Sequence, residues 1–250
     1  MKKNINFFPN LYKIICLLIL TASIVMFAME SKSAPLTETP FFTDKVDSKE
    51  IPPVEKRVPI KPNIINVKNS GKHGGQLKMF IGRTKDIRLM VVYGYSRLVG
   101  YNESIEIVPD ILEKIDVKDN KSFTFFLRPG HKWSDGHPFT TEDFRYWWED
   151  VANNKELSPA GPPRVMVVNG ESPKFEILDR YTVRYTWSNP NPYFLSRLAG
   201  ASPLFIYRPS HYLKKLHQKY ADDEKLKRLL KTKRLRNWAS LHNRFDNMYR

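Results

Sequence analysis

The stretch LRPGHKWSDGHPFTTEDF, residues 127–144, holds a Trp, two His, a Gly turn and a run of helix-starting residues. Its reading decides whether the chain carries an active site there or a piece of scaffold. As chemistry, Asp135, Glu142 and Asp143 offer carboxylates for acid-base work, and His131 and His137 offer metal ligands. The two histidines, however, lie six apart in a turn region with no helix to bring them together, and the sequence has no His-Glu-x-x-His pattern. As structure, every residue has a task. Ser134-Asp135-Gly136 makes a tight turn and Pro138 holds the exit extended. Thr140 is then a helix N-cap, with Asp143 three residues on to complete a capping box and Glu142 favourably placed against the helix dipole. The helix is expected over about 141–153, with Phe144, Trp147, Trp148 and Val151 as its apolar stripe.

Two hairpins flank this helix, each with apolar residues at every second position, the period that buries one face of a sheet. The first pairs Ile115 and Val117 with Phe123, Phe125 and Leu127 across KDNKS, and the second pairs Phe175 and Ile177 with Val183, Tyr185 and Trp187 across LDRY. Upstream, Leu77, Met79 and Ile81 alternate as an opening strand after Gly74 and Gly75, and Ile87, Met90, Val91, Tyr95 and Leu98 recur at helical spacing. A Pro- and Gly-rich loop, LSPAGPPR, follows the central helix, and another helix is expected from about Ser210. Strands and helices mix without regular alternation, so the fold class is α+β, a mixed α/β arrangement. A near miss for a serine hydrolase, Gly170-Glu171-Ser172-Pro173-Lys174, lacks the second Gly of a nucleophile elbow.

Composition narrows the function further. The 250 residues are 41% hydrophobic and 13% aromatic, enough for a real core. Lys2, Lys3 and Lys13 precede a short apolar run from Ile14 to Ala28. This reads as a signal peptide, residues 1–33, cleaved after Ser33. Cys16, the single cysteine, lies inside it, so the mature chain is expected to lack disulfides, thiol nucleophiles and Cys-based zinc sites. Six prolines between Ala34 and Asn69 mark residues 34–70 as a disordered leader. The formal charge is +15, but residues 208–250 hold thirteen Lys or Arg against four acidic residues, so the middle of the chain is nearly neutral. The basic end carries Leu213, Leu216 and Tyr220, then Leu226, Leu229 and Leu230, at helical spacing. One reading of it is an interaction protein that binds nucleic acid or anionic lipid; the other is a solvated helix face meant to pack on a segment that the expected truncation removes.

FTFFLRPGHKWSDGHPFTTEDF closely resembles the signature segment of the extracytoplasmic solute-binding proteins of ABC transporters, family 5. GGQLKMFIG is similar to that family's opening strand, and YGYSRLVGYNESIEIVPDILEKIDV and PNPYFLSRLAGASPLFIYRPSHYL to later segments, together about residues 74–213. The resemblance implies the first lobe of a type II-like periplasmic binding protein, over residues 71–207, followed by a basic helical segment, 208–250. It implies a monomeric, non-enzymatic receptor in the periplasm. Such a receptor presents a peptide or other small solute to an inner-membrane permease, with no cofactor, no metal and no nucleic acid. By family position, Gly82, Arg83 and Thr84 after the opening strand, with Tyr93 and Tyr95, are the expected wall of the ligand cleft. Family chains are much longer, so the resemblance also implies a truncated or split product lacking its second lobe.

Overall fold

The computed structural model describes residues 36–65, 67–69, 71–84, 86, 96–200 and 204–246. The expected signal peptide and both tyrosines of the expected cleft, Tyr93 and Tyr95, lie outside the described residues. In chain order, a 3-10 turn at Pro40–Phe42 leads into α1 (Thr43–Asp47) and α2 (Val54–Arg57). Strands β1 (Val99–Tyr101), β2 (Ile107–Pro109), β3 (Leu112–Lys118) and β4 (Ser122–Leu127) follow. Then come α3 (Thr141–Arg145), running directly into a π-helix at Tyr146–Ala152, and a 3-10 turn at Arg164–Met166. The chain continues through β5 (Lys174–Asp179), β6 (Thr182–Thr186), α4 (Phe194–Ala199), α5 (Ser210–Leu213) with a 3-10 turn, α6 (Asp223–Lys233) and α7 (Trp238–Phe245).

Both hairpins form in the expected register. Ile115 faces Phe125 and Val117 faces Phe123 in β3–β4, while Phe175 faces Tyr185 and Ile177 faces Val183 in β5–β6. Asp119 and Asn120 turn the first hairpin with φ of 54° and 51°, a left-handed conformation that Asp and Asn tolerate best after glycine. The hairpins join through β4 and β6 into one antiparallel sheet of order β3-β4-β6-β5. β1 and β2 form a separate two-stranded ribbon.

Strict alternation puts Phe123, Phe125, Val183 and Tyr185 on one face, where each is fully buried. Phe194 of α4 lies on that face, edge-on to Phe123 with ring centroids 5.1 Å apart, and Trp187 stands 5.0 Å from Phe194. Burying a side chain of this size contributes roughly 1.5–3 kcal/mol, so this aromatic cluster is the chief source of the sheet's stability. On the opposite face Arg184 Nε donates to Thr124 Oγ1 at 3.0 Å.

The described residues depart from two expectations. The stretch 34–70 is not structureless in its described part. Beyond its short helices, Ile60 N–H donates to Pro129 O at 3.1 Å and Arg128 Nη1 to Lys61 O at 3.2 Å. Gly130, at φ 80°, permits this approach, because a Cβ there would stand 3.0 Å from Ile60 Cγ1. Composition marks prolines as helix breakers but cannot see this docking. Second, Leu77, Met79 and Ile81 form no strand: they and Phe80 are exposed, and no described strand pairs with them. Alternation supplies one face of a ladder, and the ladder needs a neighbour. The helix expected around residues 87–98 lies mostly outside the described residues; Leu98 leads directly into the strand β1.

Candidate functional site

The capping box expected at Thr140 is present, and Thr140 N–H donates to Asp143 Oδ2 at 3.0 Å. Asp143 does more than cap. It is 1% exposed; its Oδ2 also accepts Trp133 Nε1–H at 3.1 Å. Its Oδ1 accepts the Ser210 N–H at 3.0 Å and the Ser210 hydroxyl at 2.8 Å. A buried carboxylate survives when donors surround it, and here the donors come from the WSDG turn, the helix start and α5. The signature segment is therefore a clamp between sequence-distant parts, and the scaffold reading stands.

One turn further on, the π-helix sets a second cluster. Its wider turn places residue i beside i+5, and Arg145 Nη1 meets Asp150 Oδ2 at 2.9 Å. Asp150, 4% exposed, also takes Lys219 Nζ at 2.8 Å and the Tyr220 hydroxyl at 2.6 Å. Burial pushes the Asp150 carboxyl up, but the hydrogen bonds from Lys219, Tyr220 and Arg145 outweigh it and hold the group below its ordinary range. Behind this cluster, Tyr146 Oη and His242 Nε2 share a hydrogen bond of 2.6 Å in a fully buried setting. Burial lowers His242 to about 4, helped by the His217 and Arg208 charges. Burial likewise raises the Tyr146 phenol. These groups tie the central helix to α7 and form no nucleophile–base pair.

Of the residues expected to line a cleft, Gly82, Arg83 and Thr84 fall among the described residues and Tyr93 and Tyr95 do not. Gly82, Arg83 and Thr84 are exposed, and Arg83 N–H donates to Asp86 Oδ2 at 2.9 Å in a local turn. His137 stacks on His211 with centroids 3.8 Å apart, and His211 Nε2 lies 2.6 Å from Asp135 Oδ2. No group of three metal-ligating side chains occurs among the described residues.

A cavity of about 290 Å³ adjoins the clamp through Trp133 and is walled also by Phe205, Tyr207, Tyr212 and Phe245. Arg208 and Asp246 are also in its lining, paired Nε to Oδ1 at 2.5 Å. Apolar walls with a few fixed polar groups are the usual make-up of a small-molecule site. Two wider depressions are present: one of about 890 Å³ beside β1–β2 with a mixed polar and apolar lining, and one of about 700 Å³ beside the π-helix lined mainly by polar groups. Sequence reasoning missed this cavity because its walls come from residues 133, 205–213 and 245–246, which no local pattern joins. The one local signal was the aromatic density of PLFIYRPSHYL.

The chain belongs to a family: the model for bacterial extracellular solute-binding proteins, family 5 (middle region), matches residues 106–231. Among curated relatives, it is 27% identical over 212 residues to a periplasmic alpha-galactoside-binding protein of Rhizobium meliloti, covering 74% of this chain and 30% of that one. It is 35% identical over 106 residues to the periplasmic oligopeptide-binding protein OppA of Salmonella typhimurium, covering 38% of this chain and 20% of that one. Among solved structures, an oligopeptide-binding protein OppA superposes with a TM-score of 0.72 at 28% identity, over 88% of this chain and 34% of that one. The chain thus spans about a third or less of the length of these relatives, and its mixed α+β fold matches part of the solute-binding fold.

Proposed function

We propose that this chain acts within the solute-binding component of an ABC transporter, taking a peptide or oligosaccharide outside the inner membrane and passing it to a permease. The observation that carries the reading is the aromatic-walled cavity built directly against the family's signature segment through Trp133 and Tyr207. Family membership and relatives named for alpha-galactosides and oligopeptides support the solute classes. The Lys-flanked apolar run of residues 1–33 supports export. Binding without covalent chemistry suits a site whose charged groups are paired with one another instead of with a nucleophile.

Calorimetric titration of the 250-residue chain against short peptides and against tri- and tetrasaccharides tests the reading. Saturable heat with one of the two panels is expected. Silence from both, with the protein shown to be folded, removes the solute-binding function from this chain. N-terminal sequencing of the protein recovered from the periplasm is expected to begin after Ser33; a chain starting at Met1 in the cytoplasm refutes export.

A further inference from the structure

From Lys225 to Phe245 the chain holds eight Lys or Arg and no acidic residue. All eight are exposed. Lys227 pairs with Glu224 at 2.9 Å, and the other seven are in no ion pair among the described residues. The residues outside those described contain a single acid, Glu30, so the excess of positive charge has no reserve of counter-charge. α6 fixes much of this charge on one face. Leu226 is buried, and Leu229 and Leu230 pack against the core. At 3.6 residues per turn Lys225, Arg228 and Lys231, each three apart, stand on the opposite side. The nearby acids are Asp222, Asp223 and Glu224 at the start of the helix, where Asp222 accepts the Lys225 N–H at 2.9 Å. Glu156 accepts Trp238 Nε1–H at 2.7 Å. The helix ends at Arg234 with φ 53° and ψ 46°, the left-handed cap conformation in which glycine is the ordinary residue. A cation therefore stands where glycine would be the more stable choice.

An extended anion suits this face better than a small one. The eleven residues of α6 span about 16 Å, so a lone phosphate reaches only a few of the cations, whereas a plane of phosphate groups meets them together. The apolar side of the helix is committed to the core, which leaves electrostatic attachment without insertion. No exposed aromatic ring between residues 225 and 245 offers nucleic-acid bases a stacking partner. We propose that this basic face, α6 with the turn that follows it, docks the protein on an anionic phospholipid surface through the phosphate headgroups. Which membrane it meets rests on the export proposed above; the docking itself rests on charge alone.

The test is co-sedimentation of the full chain with vesicles of phosphatidylcholine alone and of phosphatidylcholine mixed with phosphatidylglycerol. The apolar run near the N-terminus is common to all variants, so comparison among them isolates the basic face. Tighter binding to the mixed vesicles is expected, and its loss at about 1 M salt, where charges are screened beyond about 3 Å. A cation near such a surface is worth about fivefold in affinity, so Lys225→Gln, Arg228→Gln and Lys231→Gln together are expected to weaken binding roughly a hundredfold. Arg234→Gly is expected to raise the melting temperature while weakening vesicle binding about fivefold, opposite changes that a structural role alone would not produce. If the triple variant does not fold, Arg234→Gly and the salt series decide. Equal binding to the two vesicle types, wild-type affinity in the triple variant, or tighter binding to a short DNA duplex at the same salt overturns the proposal. So does release by inorganic phosphate beyond that caused by chloride at equal ionic strength. The solute titrations report separately: a chain that binds a solute but shows no vesicle preference keeps the transport reading and loses the membrane face.

Discussion

At Asp143 four donors meet one carboxylate, from Thr140, Trp133 and twice from Ser210. The cap alone predicts that Thr140→Ala and Asp143→Ala cost about the same, on the order of 1 kcal/mol each. The full bond set predicts otherwise. Thr140→Ala is expected to cost about 1 kcal/mol, whereas Asp143→Ala strands buried donors at Trp133 and Ser210 and is expected to cost about 3 kcal/mol or more. Urea unfolding midpoints of the two variants compare them directly, and equal midpoints would reduce Asp143 to a cap. The sequence made the cap legible because its two residues lie three apart. It could not disclose Ser210, 67 residues away, since nothing in a string of residues says which distant hydroxyl reaches a given carboxylate. The same limit hid Asp246 and Arg208 as neighbours, and left Gly82, Arg83 and Thr84 as a wall expected by position alone.

The central helix shows what periodicity captures and what it misses. All four residues of the expected stripe, Phe144, Trp147, Trp148 and Val151, are buried, yet so are Tyr146, Asp150 and Ala152. A stripe argument assumes 3.6 residues per turn, and the π turn at 146–152 breaks that count, bringing Arg145 onto Asp150. The charges there are unequal in worth. Asp150→Ala leaves Arg145 its pairs with Glu142 and Glu149 but removes the acceptor of the Tyr220 hydroxyl in a partly buried site, and is expected to cost about 1–2 kcal/mol. Lys219, with a side chain 58% exposed, reaches Asp150 from solvent, so Lys219→Ala is expected to cost less than about 1 kcal/mol. Thermal denaturation of both variants checks the ordering. In α7, His242 stays neutral in the folded state down to about 4 and takes a proton near 6.5 when unfolded. Between those values the unfolded chain binds more protons, so its contribution is whole above pH 6.5 and drains away as pH falls toward 4, a loss of about 3 kcal/mol. Stability measured across pH 4–7 is expected to slope upward, and His242→Phe to flatten that slope; an unchanged slope would place the titration elsewhere.

Over the whole chain, the sheet was the most legible feature, because both hairpins carry their period and their turns within about fifteen residues. The docking of 54–61 onto 128–132 and the packing of α6 and α7 were not, being contacts between segments that neither share a period nor adjoin. Leu226, Trp238 and Leu241 are buried in the core cluster, so the basic end packs on the described fold, where the sequence reading expected it to lack the segment it packs on. Hydrogen exchange is expected to follow this map: amides of 77–84, exposed and outside any described ladder, exchange fastest, and those of β4 and β6 slowest. Slow exchange in 77–84 would mean that the segment is covered in solution. The clamp at Asp143 also has a history in time. Closing a loop of 67 residues onto Ser210 costs roughly 4 kcal/mol of chain entropy, and at about 5–20 residues per second a ribosome delivers Ser210 some three to thirteen seconds after Asp143. For those seconds the helix start is made but unsealed, its carboxylate wet, and the aromatic wall beyond it has yet to be synthesised. The cavity, whose wall also takes in Phe245 and Asp246, therefore closes well after the helix start is made.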